Sequence, residues 1–256
     1  MSLKLNLTEQ KVLTFLETRN EVTTKETADY LDISEATVRR IFEHLAQLSL
    51  VERMHGGAQL RTSSAQIRNF LDKDKRNNAE KTAIAKSAAR VVKKRDLVFL
   101  NSGSTTLRVP SYISSEKVHI VTNNMQLITQ NIKDNIVLTL LGGSFDKVTR
   151  SSTGLIAINA LSTTFSSLTI LGTNGLHPIH GITSNSLEEV ELSQKMIENT
   201  IGKVIVLADH EKVNRIANHQ VCPIDAIDII ITDNKTDSHY IREYEERGIE
   251  VIIANK

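Results

Sequence analysis

Apolar residues in the first fifty positions recur with the roughly 3.6-residue period of helices. Val12, Leu13 and Leu16 form a stripe that predicts a helix from Thr8 to about Thr18. In "TTKE", Thr23 and Glu26 have capping-box spacing, each side chain able to satisfy a free amide of the other's turn. A short helix is predicted from there to about Leu31, with Ala28 and Leu31 inward. "DIS" is a three-residue turn, and Ser34 is a good N-cap for a third helix, "EATVRRIFEHLAQL". Val38, Ile41, Phe42, Leu45 and Leu48 of that helix fall at i, i+3, i+4, i+7 and i+10, one buried face. Glu35, Thr37, Arg39, Arg40, His44 and Gln47 lie opposite.

After the third helix, Leu50 and Val51 resume extended character, and a strand is expected from Ala58 to about Arg61. Between them "HGG" can turn the chain, because glycine accepts positive φ without penalty. A phosphate-binding glycine loop normally leads into a helix; this one leads into "AQLRTSS". A tight turn is the better reading. Residues 62–78 are polar and irregular, a linker.

From about Ala79 the pattern changes to alternation of helix and strand. "KTAIAKSAARVV" is helical and "LVFLN" is a strand. "TTLRVPSYI" reads as a helix that Pro110 bends or ends, "VHIVTN" as a strand, "MQLITQNI" as a helix and "NIVLTLLGG" as a strand. "SLTILGTNG", "KVIVLAD", "IDIIITD" and "IEVIIA" are further strands, with helices at "SLEEVELSQKMIEN" and "TDSHYIREYEERG". Such alternation predicts a mostly parallel sheet covered by helices. The expected architecture is α/β: a small, mainly helical N-terminal domain over 1–61, a basic linker over 62–78 and a mostly parallel α/β domain over 79–256.

A short helix, a tight turn and a longer helix with outward arginines form the layout of a helix-turn-helix, whose second helix enters the major groove. Arginine can pair bidentately with guanine or sit on phosphate, and threonine can donate, accept or touch a thymine methyl. A small helical bundle with a solvated arginine pair fits the same pattern. A β-hairpin after the two helices makes the module a winged helix, with Arg53, His55 and Arg61 on or beside the wing.

"ISEATVRRIFEHLAQLSLVERMHGGAQL" resembles the N-terminal module of the DeoR family of bacterial sugar-metabolism repressors. The matching positions are Ser34, Thr37, Val38, Arg39, Arg40, Arg53, His55, Gly56, Gly57 and Ala58. One departure is Ile41, where the family usually has Asp. The resemblance implies DNA contacts from Ser34, Glu35, Thr37, Arg39, Arg40, His44, Arg53, His55, Gly56 and Gly57.

In parallel α/β folds ligands bind at the carboxyl ends of strands. There "NSGSTT" places Asn101, Ser102, Gly103, Ser104, Thr105 and Thr106 between a strand and a helix. These hydroxyls and amides suit a phosphate, and equally suit a Ser/Thr-rich N-cap. Thr122 and Asn123, Gly142 and Gly143, Thr173 to Gly175, and Gly181 to Thr183 end other strands or the loops after them.

These segments also resemble the DeoR sensor domain, similar in fold to ribose-5-phosphate isomerase. The likeness implies a phosphorylated-sugar effector held by Asn101, Ser102, Gly103, Ser104, Thr105, Thr106, Thr122, Asn123, Gly142, Gly143, Asn174, Gly175 and Thr183. It also matches Gly181 and Asp209, and brings Glu191 and Lys212 to the sugar end. Asn101 and Asn174 stand where the family carries Asp, and Ser193 where it carries Lys. Amides hydrogen-bond but cannot serve as general bases near neutral pH.

Composition changes the picture at a few points. The 256 residues suit one or two domains, and 40% hydrophobic with 24% charged residues is ordinary for a globular chain. The net charge of +1 names no partner. Residues 61–95, however, hold eleven Lys/Arg against three acids. That is a solvated linker and helix face, or a polyanion-facing patch beside a DNA-reading element. Cys222 is the one cysteine, which excludes an intrachain disulfide and a cysteine-based zinc site. His177 and His180 in "HPIHG" have no evident third ligand, so no metal and no cofactor are expected.

The start of the chain lacks a basic region followed by an apolar run, and no stretch approaches the ~18 apolar residues of a membrane span. The expectation is a cytoplasmic protein with no membrane partner. The leading function is a DNA-binding transcriptional regulator, a repressor of sugar-metabolism genes. Its expected partners are a double-stranded DNA operator, a phosphorylated sugar and further copies of itself in a dimer or tetramer. The alternative is a sugar-phosphate isomerase-like enzyme with an accessory DNA-binding domain, against which the missing carboxylates and lysine count. A protein-interaction module on the helix-turn-helix fold is a third reading.

Overall fold

The computed structural model describes residues 5–19, 21–48, 50–60, 76–147 and 149–255. The chain divides into two compact units, Met1–Asp72 and Lys73–Lys256. Arg61 and the expected linker up to residue 75 lie outside the described residues.

In the first unit, α1 (Leu7–Arg19) begins at a reciprocal cap. The Glu9 amide donates to Asn6 Oδ1, and the Asn6 amide to Glu9 Oε2, each at 2.9 Å. Strand β1 (Glu21–Thr23) leads into α2 (Thr24–Leu31), where Thr23 and Glu26 form the expected capping box. α3 (Glu35–Gln47) starts on the Ser34 hydroxyl, which accepts from the Thr37 amide at 3.1 Å. Val38, Ile41, Phe42 and Leu45 are buried against Val12, Leu13 and Leu16 of α1.

The hairpin β2 (Val51–Met54) and β3 (Gly57–Leu60) follows. β1 pairs antiparallel with β3, making a three-stranded sheet in the order β1-β3-β2. Sequence patterning missed β1: three residues with one apolar side chain, Val22, leave no period to read.

The second unit is built on seven strands. They are β4 (Leu97–Leu100), β5 (Val118–Thr122), β6 (Ile136–Leu140), β9 (Ser166–Gly172), β12 (Thr200–Leu207), β14 (Ile229–Asp233) and β15 (Glu250–Ala254). All neighbours pair parallel, in the order β15-β14-β12-β9-β4-β5-β6. Side chains alternate across such a strand, which is why the strands read as continuous apolar runs. Val98, Leu100, Ile205 and Ile231 pack with α4 (Asn78–Val91) in one core. Phe99, Val206 and Ile230 pack in the other with α7 (Leu187–Glu198) and with Tyr244 of α8 (Ser238–Glu246).

Several expectations change. Pro110 neither bends nor ends a helix; it lies in the first turn of α5 (Val109–Tyr112), after a 3₁₀ turn at Thr106–Arg108. There its missing N–H costs nothing. "MQLITQNI" is only a 3₁₀ turn, Met125–Thr129, since Leu127 alone is buried and no apolar stripe continues it. The hairpin β7 (Ser144–Asp146) and β8 (Ser151–Thr153) and the helix α6 (Leu155–Leu161) were not expected. Nor was the antiparallel sheet of β10 (Gly175–His177), β11 (Gly181–Ser184) and β13 (His219–Cys222).

Candidate nucleic-acid interface and effector loops

On α3 the side chains of Glu35, Arg39, Arg40 and His44 are exposed, and Thr37 is half-buried. Ser34 and Thr37 share a 2.8 Å hydroxyl contact at the N-cap. Arg39 meets Glu35 at 3.2 Å, while Arg40 makes no hydrogen bond or ion pair with a described residue. Arg53 on β2 donates to the Arg39 carbonyl at 3.2 Å and lies 3.7 Å from Glu43, so the wing is tied to the recognition helix. His44 Nδ1 sits 2.7 Å from the buried Glu9 carboxylate. That contact locks α3 to α1, a positioning role the sequence reading did not give His44.

The two glycines of "HGG" serve different ends. Gly56 has φ +81°, the turn conformation, with open space around it. Its carbonyl accepts from the Thr24 amide at 2.8 Å, which fixes the wing tip to the start of α2. At Gly57 a Cβ would meet the Val22 carbonyl oxygen at 2.3 Å, so the position demands glycine because β1 passes so close. His55 is exposed at the turn.

In the second unit the expected effector residues fall at the end of β5, on the loops following β4, β5, β6, β9 and β12, on β10 and β11, and, for Glu191, on α7. The structure joins several of them. Ser102 donates to Glu189 at 2.9 Å, and Ser184 approaches the same carboxylate at 3.4 Å and Asn174 Oδ1 at 3.3 Å. Asn124 donates to the Gly103 carbonyl at 3.4 Å. Thr183 donates to the Gly175 carbonyl at 3.1 Å and accepts from the Ala217 amide at 2.8 Å. Beside Gly175, the Thr183 hydroxyl and the Arg215 carbonyl leave no room for a Cβ. Gly143, at φ +131°, faces the Thr153 carbonyl, and Gly142 is exposed beside it.

Other expected residues are occupied within the fold. Asn101 donates to the Gly172 carbonyl at 3.0 Å and accepts from the Gly172 amide at 2.8 Å, so its amide clamps the ends of β4 and β9 together. Thr106 donates to the carbonyls of Asn101 and Gly103 and is fully buried; Thr105 is buried too. Thr122 accepts from the Asn124 amide, and Asn123 donates to the Ser152 carbonyl. Ser102, Gly103 and Ser104 remain partly open on this loop.

Glu191 is exposed on α7, whereas Glu189 reaches the loops. Two residues along a helix turn the side chain by roughly 200°, so only one of the pair can point that way. The capping spacing from Ser186 to Glu189 was the available sequence signal for this residue. Lys212 is half-buried, and its carbonyl accepts from Leu176 at 2.9 Å. Nearby Asp209 is 3% exposed, and burial raises its pKa while the charges of Lys212 and Lys81 pull it down. Lys81, also 3% exposed on α4, carries its charge close to Asp209, a placement the sequence did not suggest. His210 Nδ1 lies 3.1 Å from the buried Asp233 carboxylate. Among the described residues no cluster of three metal-ligating side chains occurs, and no helix is long and apolar enough to cross a membrane.

A winged helix-turn-helix, followed in the same chain by a parallel α/β unit with polar strand-end loops, defines a transcriptional regulator with a DNA-binding domain and a sensor domain. Residues 9–64 match the model for the DeoR-like helix-turn-helix domain, and residues 76–234 match that for the DeoR C terminal sensor domain. The chain belongs to the DeoR family.

Its relatives include the HTH-type transcriptional regulator GlpR of Haloferax volcanii, 33% identical over 227 residues and 88% of each chain. The regulator GolR of Listeria innocua is 28% identical over 96% of this chain and 97% of its own. The lactose phosphotransferase system repressor of Lactococcus lactis is 29% identical over 93% of this chain and 94% of its own. The family is one of transcriptional regulators, which sets aside the isomerase-like enzyme reading.

Proposed function

We propose that this chain is a cytoplasmic repressor of sugar-metabolism genes that binds a double-stranded operator as a homo-oligomer, a dimer or tetramer, and is controlled by a phosphorylated sugar. Residues 1–61 read DNA, 62–78 link, and 79–256 sense. Thr37, Arg39 and Arg40 face the groove at the start of α3, and Arg53 and His55 on the wing contact phosphates, as basic side chains do in such modules. Two copies present two recognition helices to half-sites about one helical turn apart.

The observation that carries the effector reading is the Ser102–Ser104 segment at the carboxyl edge of β4, joined through Glu189 to Ser184 and Asn174. The loop offers hydroxyls and amides to a phosphate, and the Glu189 carboxylate accepts from sugar hydroxyls. Asn174 supports the same reading as a neutral amide partner. Relatives named for lactose phosphotransferase and glycerol-3-phosphate regulons point to the same class of metabolite.

The test uses the full chain. An operator is selected from a random duplex pool, and its affinity is measured by anisotropy with phosphorylated sugars, each beside its unphosphorylated form. The expected result is a change in DNA affinity that needs the phosphate and is lost in Ser104→Ala. Equal responses to a sugar with and without its phosphate would overturn the effector class; absence of salt-sensitive duplex binding would overturn the DNA reading.

A further inference from the structure

The helix α4 stands at a junction. The chain arrives from the DNA-binding unit and enters the sensor sheet through the first turn of α4. That turn is not secured by its own cap. Asn77 adopts a left-handed conformation at φ 51° and, among the described residues, makes no side-chain cap bond and has no partner for its buried Nδ2. Left-handed backbone at a non-glycine residue persists where the surroundings hold it. Here the surroundings are three loops, each following a different parallel strand.

From the loop after β4 and the turn that follows it, Arg108 donates through Nη1 to the Ser104 carbonyl. Its Nη2 donates to Asn78 Oδ1 at 2.9 Å. From the loop after β14, Lys235 meets the buried carboxylate of Glu80 at 2.8 Å. Lys81, buried within the same turn, faces the Asp209 charge in the loop after β12. All three loops leave the carboxyl edge of the sheet, the edge where the effector loops lie.

We propose that the first turn of α4 is the coupling element of this regulator, and that Arg108 is the positioning residue that links the Ser104 loop to Asn78. This rests on the effector reading above. When an anion draws on the amides and hydroxyls of Ser102–Ser104, the Ser104 carbonyl is reoriented. Arg108 passes that change to the first residue of α4, and so to the segment that leads to the DNA-binding unit. An uncapped helix start is suited to this role, because its arrangement depends on tertiary ties that an occupied loop can shift. Coupling of this kind requires an element with two arrangements that both sites bias.

Hydrogen exchange on the full chain tests it, with inorganic phosphate as the probe. The variants are Asn78→Ala, which removes the acceptor, and Asn78→Asp, which keeps it. The reporters are the Leu107 amide, bonded to the Gly103 carbonyl, and the Lys81 amide, bonded to the Asn77 carbonyl. Asn78→Ala is expected to speed Leu107 exchange several-fold, and Asn78→Asp to keep the wild-type rate. A role confined to starting the helix would move Lys81 and leave Leu107 alone. Phosphate is expected to slow both amides in the wild type and only Leu107 in Asn78→Ala.

Wild-type exchange at Leu107 in Asn78→Ala, or phosphate protection of Lys81 that survives that change, overturns the proposal. If phosphate slows neither amide in the wild type while Asn78→Ala still speeds Leu107, the tie stands. What falls in that case is the reading of the loop as a phosphate site.

Discussion

Arg40 and Cys222 mark the two ends of what a single residue decides. Arg40 is exposed and makes no hydrogen bond or ion pair with a described residue. Its replacement by Ala therefore should leave the melting temperature unchanged. If it reads a base, the change lowers operator affinity by about 1–3 kcal/mol and relaxes preference at one position of the site. An affinity within twofold of wild type would remove Arg40 from the interface.

Cys222 is buried, and burial pushes its thiol pKa up to about 11. The thiolate is the reactive form, so a thiol reagent at pH 8 should label nothing in the folded chain and one site in denaturant. The folded pKa lies above the unfolded one, so this group's contribution to stability is complete below about pH 9. It declines as pH rises toward about 11. Labelling of the native chain at the unfolded rate would contradict the burial. The sequence showed Cys222 only as the one cysteine of the chain, and its depth came from β13 pairing with β11.

At the scale of elements, the wing separates two kinds of glycine that look alike in "HGG". Gly56→Ala places a Cβ in open space at a positive φ, a cost of about 1 kcal/mol. Gly57→Ala drives a Cβ into the Val22 backbone and must part β3 from β1. The expected order in a thermal melt of the full chain is wild type, then Gly56→Ala, then a much less stable Gly57→Ala in the transition of the N-terminal unit. Equal losses would show that β1 yields easily.

The capping box at Thr23 and the Ser34 cap were legible because both act between residues three apart. β1, the pairing partner of β3, was not, since it depends on a contact across more than thirty residues. The pairing of β11 with β13 escaped for the same reason, whereas β7, β8 and β10 escaped because strands of three residues show no readable period.

At the scale of the whole molecule, operator binding and effector binding must be reciprocal if they are coupled. A coupling of about 1–3 kcal/mol changes DNA affinity roughly 5- to 150-fold, and operator DNA must change sugar-phosphate affinity by the same factor. Measuring both on the full chain checks the cycle. A large effect in one direction with none in the other would mean that the two ligands compete for something other than a shared equilibrium. Operator affinity should also fall steeply with salt, and Arg53→Ala should reduce that slope by about one. An unchanged slope would place the wing away from the phosphates.

The sequence by itself determined the class of the fold and the identity of the recognition helix. Helical and strand periods, caps and apolar runs are local, and burial of one face is written in the spacing of the residues that cover it. The same locality made the exposed face of that helix and the turn of the wing readable, because they lie within one helix and one hairpin. Tertiary structure alone decided which polar residues of the sensor loops are spent on the fold. Asn101 clamps Gly172, Thr106 closes its own loop, and Glu189 rather than Glu191 faces Ser102. Those choices turn on contacts between strands adjacent in the sheet and distant in the chain. Hydrogen-bond partners at such separations are set by the strand order, which no local pattern encodes.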